Sequence, residues 1–221
     1  MNDPYPSQGD TAPPPPDAYP AQYDVDYPDR PLNRLTTFFR IFTAIPILIL
    51  FATVSGGNTY GGGDTYVYAG GGAGLLVAAP LLMILFRKKY PRWWFEWNQE
   101  LLRFTGRIAI YLSLLDDRYP STDERQSLRL DLRYPDAERD LQRGLPLVKW
   151  LLAIPHYIVL FFLGIAAFVA VVIAWFAILI TGHYPRGLFD FVVGVHRWWL
   201  RVTAYAFVLT TDRYPPFRLA P

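Results

Sequence analysis

Four apolar stretches, separated by charged, proline-rich or glycine-rich segments, dominate the pattern along the chain. They cover residues 35–54, 70–86, 145–163 and 165–180. At about 1.5 Å per residue, the first stretch spans roughly the 30 Å of a hydrocarbon core. The pattern predicts four transmembrane helices, with the last two joined by a tight turn at Gly164. One long bent helix over 145–180, or segments that enter a bilayer without crossing it, are the alternatives.

Two further segments, about 92–107 and 186–201, are predicted to be amphipathic helices at the cytoplasmic interface. Tryptophan favours head-group depth, and these segments are rich in it; they contain Trp93, Trp94, Trp97, Trp198 and Trp199. Residues 128–132 alternate apolar and charged side chains and predict a short strand, and 206–209 predict another. The predicted fold class is an all-α membrane protein with short strands as an addition.

The proline-rich start and the distribution of cations predict the topology. Residues 1–25 are expected to be a disordered cytoplasmic tail, because nine prolines and few aliphatic residues lie within 1–31. Residues 87–144 hold 12 of the 21 lysines and arginines, whereas the glycine-rich loop 55–69 holds none. The positive-inside rule then places both termini in the cytoplasm and that loop outside. The predicted location is the inner (cytoplasmic) membrane, with several crossings.

The chain contains an internal repeat. Tyr27-Pro28-Asp29 returns as Tyr134-Pro135-Asp136, Tyr90-Pro91-Arg92 as Tyr184-Pro185-Arg186, and Asp117-Arg118-Tyr119-Pro120 as Asp212-Arg213-Tyr214-Pro215. These matches predict a first repeat at 26–120 and a second at 133–217, joined by a linker at 121–132. With an even number of crossings in each half, the two copies would face the same way as parallel pseudo-repeats.

Composition and missing motifs narrow the chemistry. The chain is 52% hydrophobic and only 18% charged, which fits a membrane protein. It has no cysteine, which excludes a thiolate nucleophile or thiolate metal site, and its net charge of +2 does not indicate nucleic-acid binding. There is no nucleophile elbow, zinc-protease motif or phosphate-binding lysine motif. We therefore expect neither an enzyme nor a bound cofactor or metal.

The strongest candidate site repeats on the two amphipathic helices. Helical spacing puts Glu96, Arg103 and Arg107 on one face, and Asp190, Arg197 and Arg201 repeat that arrangement 94 residues later. Two arginines at i and i+4 repel unless an anion lies between them. They predict a site for an anionic lipid head group. The alternative is that the carboxylates pair internally with the arginines.

Three polar residues interrupt the apolar stretches. Arg40 and Lys149 occupy matching places in the two halves and are expected to reach the head groups by snorkelling, with a shared anion site as the alternative. His156 follows Pro155 in the third stretch. It is a candidate proton relay or ligand, and the alternative is a histidine bonded to a backbone carbonyl freed by the proline.

Two segments support a resemblance to a known family. The repeated Tyr-Pro boxes, Leu151-Leu152-Ala153-Ile154-Pro155-His156-Tyr157 and Tyr184-Pro185-Arg186-Gly187-Leu188-Phe189-Asp190-Phe191 resemble the bacterial membrane family called domain of unknown function 4389. The resemblance covers about residues 26–217 and is closer in the second half. It implies a multi-pass inner-membrane protein. It implies no activity and no catalytic residue.

These observations predict a non-enzymatic accessory or scaffold protein. Its expected partners are membrane lipids with anionic head groups, a membrane protein, or further copies of the chain, bound through the arginine faces. The alternative is a small transporter or channel built on the proline-containing spans.

Overall fold

The structure, a computed structural model, describes residues 18–55, 59–60, 67–68, 72–121 and 126–221. This part of the chain is mostly helical, as expected. Its helices are α1 (Arg34–Phe38), α2 (Arg40–Ser55), α3 (Gly72–Arg87), α4 (Arg92–Leu112), α5 (Pro146–Leu152), α6 (Ile154–Thr181) and α7 (Arg186–Ala206). Its strands are β1 (Ala21–Val25), β2 (Thr59–Tyr60), β3 (Val67–Tyr68) and β4 (Leu128–Leu132).

Strands β1 and β4 form an antiparallel pair, in which Tyr23 is opposite Leu130 and Val25 is opposite Leu128. The strand predicted at 128–132 is therefore confirmed. The predicted tail is wrong for residues 21–25, where every second side chain is buried and the backbone pairs with β4. Residues 21–25 have no pairing partner within the described part of the tail. Strand β4, a second run of alternating apolar residues, pairs with them. The rest of the predicted tail, residues 1–17, lies outside the described residues.

Two of the Tyr-Pro boxes mark the starts of the predicted amphipathic helices. Helices α4 and α7 begin directly after Pro91 and Pro185, whose extended backbone precedes the first turn. Each helix runs five residues beyond its predicted end. The strand predicted at 206–209 is wrong, because α7 continues to Ala206 and the Phe207 N–H still donates to the carbonyl of Thr203.

The elements stack in layers. Helix α7 packs on β1 and α4 packs on β4, while α6 packs on α7 and α2 packs on α4. The main hydrophobic core joins buried side chains from the strands, α4, α6 and α7. Helix α7 is therefore an interior helix, with Arg197, Trp198 and Arg201 buried, and its predicted place at a bilayer interface stays a prediction.

Helix α6 runs without a break through Gly164, so the predicted turn there is wrong. A lone glycine costs a helix only about 1 kcal/mol, and no polar turn residues accompany it. The helix ends at Gly182, whose φ of 79° is in the left-handed region and whose N–H donates to the carbonyl of Ile178. Glycine adopts this conformation without the steric penalty of a side chain.

Among the described residues, only α6 is both long and apolar enough to cross a membrane. This finding suggests membrane association. Four crossings are not supported. Helix α2 contributes only the shorter apolar segment Arg40–Phe51, and the stretches predicted at 145–163 and 165–180 form the short helix α5 followed by the single long helix α6. In the glycine-rich loop, β2 pairs with β3. Residues 56–58, 61–66 and 69–71 lie outside the described part of the chain. The external position of the loop stays a prediction.

Candidate functional site

Arg103 on α4 holds strand β4. Its Nε donates to the carbonyl oxygen of Leu130 at 3.0 Å, and its Nη2 lies 2.7 Å from Oδ1 of Asp131. Its Nη1 pairs with Glu100, one helical turn earlier, at 2.6 Å. The guanidinium presents its donors in a rigid fork, and each of its three nitrogens makes one of these contacts. The Arg103 side chain is 18% exposed.

Arg197 on α7 holds strand β1 in the same way. Its Nε donates to the carbonyl oxygen of Tyr23 at 2.8 Å, and its Nη2 lies 3.0 Å from Oδ1 of Asp24. Its Nη1 donates to the carbonyl oxygen of Leu219 at 2.9 Å. We call the two arrangements, Arg103 with Asp131 and Arg197 with Asp24, the arginine clasps. In each clasp a long helix binds the strand that precedes the other long helix in the chain.

The next arginine on each helix is also bound internally. Arg107 Nη1 donates to the carbonyl of Ser121 at 2.8 Å. Arg201 is buried and donates to the carbonyls of Arg218 at 3.1 Å and Ala220 at 2.8 Å. Burial, together with the charges of Arg218 and Arg197, lowers the pKa of Arg201 to about 10. The group keeps its charge at neutral pH, and backbone carbonyls stabilise that charge.

The two carboxylates predicted to accompany these arginines lie elsewhere. Glu96 pairs with Arg92 at 3.1 Å on the exposed side of α4. Asp190 is exposed and lines an open cavity of about 340 Å³, into which Arg197 also faces. The arginines therefore do bind internally: Arg103 and Arg197 pair with strand carboxylates and Glu100, and Arg107 and Arg201 bind backbone carbonyls. Their role as lipid or anion ligands stays a prediction.

Arg40 and Lys149 do not snorkel, because both are buried. Arg40 Nη1 donates to the carbonyl of Asp116 at 3.0 Å, and its guanidinium lies 4.1 Å from the centre of the Tyr111 ring. Lys149 Nζ donates to the carbonyl of Thr211 at 2.7 Å and pairs with Asp212 at 2.6 Å. Each cation binds the loop that follows the long amphipathic helix of its own half. The snorkelling prediction is therefore wrong: internal acceptors stabilise these charges.

His156 is buried at the start of α6. Its Nδ1 accepts a hydrogen bond from Nε1 of Trp198 at 3.1 Å, so the ring proton lies on Nε2. The imidazole stacks on Phe217 with 4.0 Å between ring centres. Its hydrogen-bond partner is thus an indole on α7, and not, as expected, a backbone carbonyl freed by the proline. Nε2 has no hydrogen-bond partner among the described residues.

Sequence reasoning missed Asp24 and Asp131, the carboxylates of the clasps. The signal was present, since both lie three residues before a matched Tyr-Pro-Asp box, and the two boxes are 107 residues apart. The box tyrosines also bind across the halves. Tyr27 Oη donates to the carbonyl of Tyr184 at 2.6 Å, and Tyr134 Oη donates to that of Tyr90 at 2.5 Å.

The described residues contain no group of three or more histidine, aspartate or glutamate side chains placed to hold a metal ion. The charged groups that do converge form fixed, charge-assisted hydrogen bonds between helices, strands and loops. Such bonds are stronger than neutral ones and set the orientation of the elements that they join. This chemistry positions elements of the fold.

The comparisons with known proteins confirm the resemblance in the second half. Residues 146–218 match a family model described as Domain of unknown function (DUF4389). The match contains α5, α6 and α7, and with them Lys149, His156, Arg197 and Arg201. No curated protein matches the chain, and no solved structure matches it.

Proposed function

We propose that this chain is a non-enzymatic scaffold protein of the bacterial inner membrane. In this proposal an apolar face lies in the bilayer, exposed cations bind anionic lipid head groups, and both termini lie on the cytoplasmic side. The sheet side remains free for a membrane-protein partner or a second copy of the chain. The observation that carries the proposal is the apolar face of α6.

This face is formed by large hydrophobic side chains that are exposed on α6. They are Ile158, Phe161, Phe162, Ile165, Phe168, Val169, Ile173, Phe176 and Ile180. Helix α6 has no aspartate, glutamate, lysine or arginine along its 28 residues. Soluble proteins rarely expose a contiguous apolar patch of this kind, because water must be ordered around it. Lipid acyl chains would remove this cost.

Exposed cations beside exposed tryptophans support a head-group contact. Arg87, Lys89 and Arg92 are exposed where α3 ends and α4 begins, and we call them the basic rim. Trp93 and Trp97 are exposed on the next turns of α4. A cation near an anionic membrane surface contributes about 1 kcal/mol to binding. The rim replaces Arg103, Arg107, Arg197 and Arg201 in the proposal. Internal backbone carbonyls bind those four arginines, whereas the ion pair of Arg92 with Glu96 lies at the exposed surface.

We also propose that the two halves are copies of one ancestral unit. Matched contacts support this. The arginine clasps and the tyrosine bonds are each made twice, with the halves exchanged. The backbone N–H of Asn33 donates to Asp117, and that of Gln142 donates to Asp212, at the equivalent places. Contacts repeated in this order are expected of a duplication.

Sedimentation with lipid vesicles tests the lipid proposal. Wild type is expected to bind phosphatidylcholine vesicles containing phosphatidylglycerol more tightly than vesicles of phosphatidylcholine alone. Replacing the rim by Arg87→Gln, Lys89→Gln and Arg92→Gln should weaken binding to the anionic vesicles by roughly a hundredfold, at about 1 kcal/mol per cation.

The matched control removes three cations from β4 and the residues after it, by Arg129→Gln, Arg133→Gln and Arg139→Gln. It should retain most of the binding. Equal binding of wild type to both kinds of vesicle, or an equal loss in the rim and control variants, would contradict the proposal.

A further inference from the structure

The way α6 is attached to the rest of the protein restricts how it can lie in a membrane. Near its start, Trp198 Nε1 donates to His156 at 3.1 Å, and Tyr214 Oη donates to the carbonyl of Leu152 at 3.2 Å. Just after its end, the N–H of Leu32 donates to the carbonyl of Gly182 at 2.8 Å. Both ends of α6 are thus bonded to the same folded body.

The middle of α6 is attached as well. A stripe of buried residues runs along one side of the helix at helical spacing: Leu160, Ala167, Ala170, Ala174 and Ile178. Helix α7 follows after a short turn and packs against α6, so the two helices are antiparallel neighbours. The alanines allow close approach of the two backbones. Helix α6 therefore lies along α7.

Helix α7 also packs on the sheet, through strand β1. Arg197 binds the Tyr23 carbonyl and Asp24 on β1. The Asp24 side chain is 60% exposed, and Asp131 on the neighbouring strand is 57% exposed. The order of layers is thus an apolar face on α6, then α7, then a sheet with solvated carboxylates.

If α6 crossed the membrane, α7 and the sheet would have to enter the bilayer with it. Helix α7 and the sheet would share the depth of α6, and the carboxylates of Asp24 and Asp131 would face hydrocarbon. Each charge at that depth costs at least roughly 3 kcal/mol. With α6 parallel to the bilayer plane, the apolar face meets acyl chains while the sheet stays in water.

We propose that α6 lies in the plane of the membrane, immersed in one leaflet, and does not cross. This inference rests on the membrane association proposed above. The occupant of the apolar face is the acyl-chain region of that leaflet, with anionic head groups around it. Exposed cations lie in the chain before and after α6, where they could contact head groups. Arg143 precedes α5, and Arg186 follows the end of α6. Arg34 is also exposed and lies close to Gly182 at that end.

The chain has no cysteine, so single labels can be placed freely. A fluorophore is attached to Phe161→Cys, Phe168→Cys or Phe176→Cys, three exposed positions along α6. Each labelled protein is bound to phosphatidylcholine and phosphatidylglycerol vesicles that carry a quencher either near the head group or deep in the acyl chain. The ratio of the two quenching efficiencies reports depth.

If α6 lies in the plane of the membrane, the ratio of the two quenching efficiencies should be the same at all three positions. A crossing helix predicts a deep label at Phe168 and shallower labels at the other two, because seven residues of helix span about 10 Å. That V-shaped profile would overturn in-plane seating but leave membrane association intact. Absence of quenching at every position would overturn membrane association as well.

A label at Arg139→Cys, after β4, is the control and should escape both quenchers. Circular dichroism of each labelled protein checks that the helices are retained. Ile158→Cys, Ile165→Cys and Ile180→Cys, also exposed on α6, form a second set. The same depth profile must appear in both sets, and disagreement between them would contradict a helix lying flat.

Discussion

Arg197 on α7 binds Asp24 on β1, with 3.0 Å between Nη2 and Oδ1, although 173 residues separate them in the sequence. The same geometry joins Arg103 to Asp131. Long-range contacts of this kind fix which helix packs on which strand. Each clasp joins one long helix to the strand that precedes the other long helix in the chain.

Replacing Arg197 is expected to destabilise the protein more than replacing Arg103. Arg197 is buried and binds two backbone carbonyls in addition to Asp24, and these acceptors would lose charged donors. We expect Arg197→Gln to lower the free energy of unfolding by about 2–4 kcal/mol and Arg103→Gln by about half as much. Denaturant unfolding in mild detergent measures both.

Asp24→Asn is the control, since an exposed ion-pair partner contributes only about 1 kcal/mol or less. A cost for Asp24→Asn as large as that for Arg197→Gln would show that the ion pair, and not the carbonyl contacts, stabilises the strand.

Lys149 should tolerate arginine but not methionine. Its Nζ is buried against Asp212 and the Thr211 carbonyl, and Arg40 makes the equivalent carbonyl contact in the first half. Lys149→Met leaves Asp212 without its cation and should cost about 3–5 kcal/mol, whereas Lys149→Arg should cost about 1 kcal/mol or less. Thermal unfolding distinguishes the two variants. A mild effect of Lys149→Met would contradict a paired buried charge.

The buried pair His156 and Trp198 can be replaced by its first-half counterpart. At equivalent places the first half has Ile47 and Phe104, which pack in one apolar cluster. His156→Ile leaves the indole N–H of Trp198 unpaired, and Trp198→Phe leaves Nδ1 of His156 unpaired. Each single variant should cost about 1–3 kcal/mol, and the double variant should cost less than their sum. Strictly additive costs in a double-mutant cycle would contradict the hydrogen bond.

The same histidine separates the scaffold from the transporter alternative. Proton or ion flux into proteoliposomes containing wild type, lost in His156→Ala, would favour transport. The scaffold proposal predicts no flux above that of empty liposomes in either protein.

His196 should make stability depend on acid pH. Its ring nitrogens lie 3.2 Å from Tyr23 Oη and 3.4 Å from Ser113 Oγ, and burial lowers its pKa to about 4. Between pH 6.5 and about 4 the unfolded chain binds a proton that the folded protein excludes, so stability falls as the pH falls. This contribution reaches at most roughly 3 kcal/mol below pH 4.

His196→Leu, which places the residue found at the equivalent Leu102, should remove that part of the pH dependence. Free energies of unfolding at pH 7.5 and pH 4.5 measure the difference between the two proteins. Identical losses on acidification in wild type and variant would contradict a neutral buried imidazole.

The sequence pattern was sufficient for elements with a local signal. Pro91 and Pro185 mark the starts of α4 and α7, and the alternation at 128–132 marks β4. A turn was wrongly predicted inside α6 because Gly164 and Gly182 are both glycines in sequence. What differs is their context: His183, Tyr184 and Pro185 follow Gly182, while hydrophobic residues follow Gly164.

The candidate site was only partly predictable, because its partners are distant in sequence. Helical spacing identified Arg103 and Arg197 as matched residues, but their acceptors belong to strands more than 25 residues away in one case and 170 in the other. Long-range pairing depends on tertiary packing, which no local pattern encodes. The 107-residue offset of the Tyr-Pro boxes was the available pointer to Asp24 and Asp131.

Flotation with vesicles tests most directly whether the exposed face of α6 is a lipid-facing surface. Purified protein mixed with phosphatidylcholine and phosphatidylglycerol vesicles is expected to float with them, and to remain bound in high salt because acyl-chain contact is not screened. Phe168→Glu, a charge at the 70% exposed centre of the face, should release most of the protein. Arg133→Glu beside β4 should release little. Wild type left in the aqueous fraction, or Phe168→Glu bound as tightly as wild type, would contradict the account.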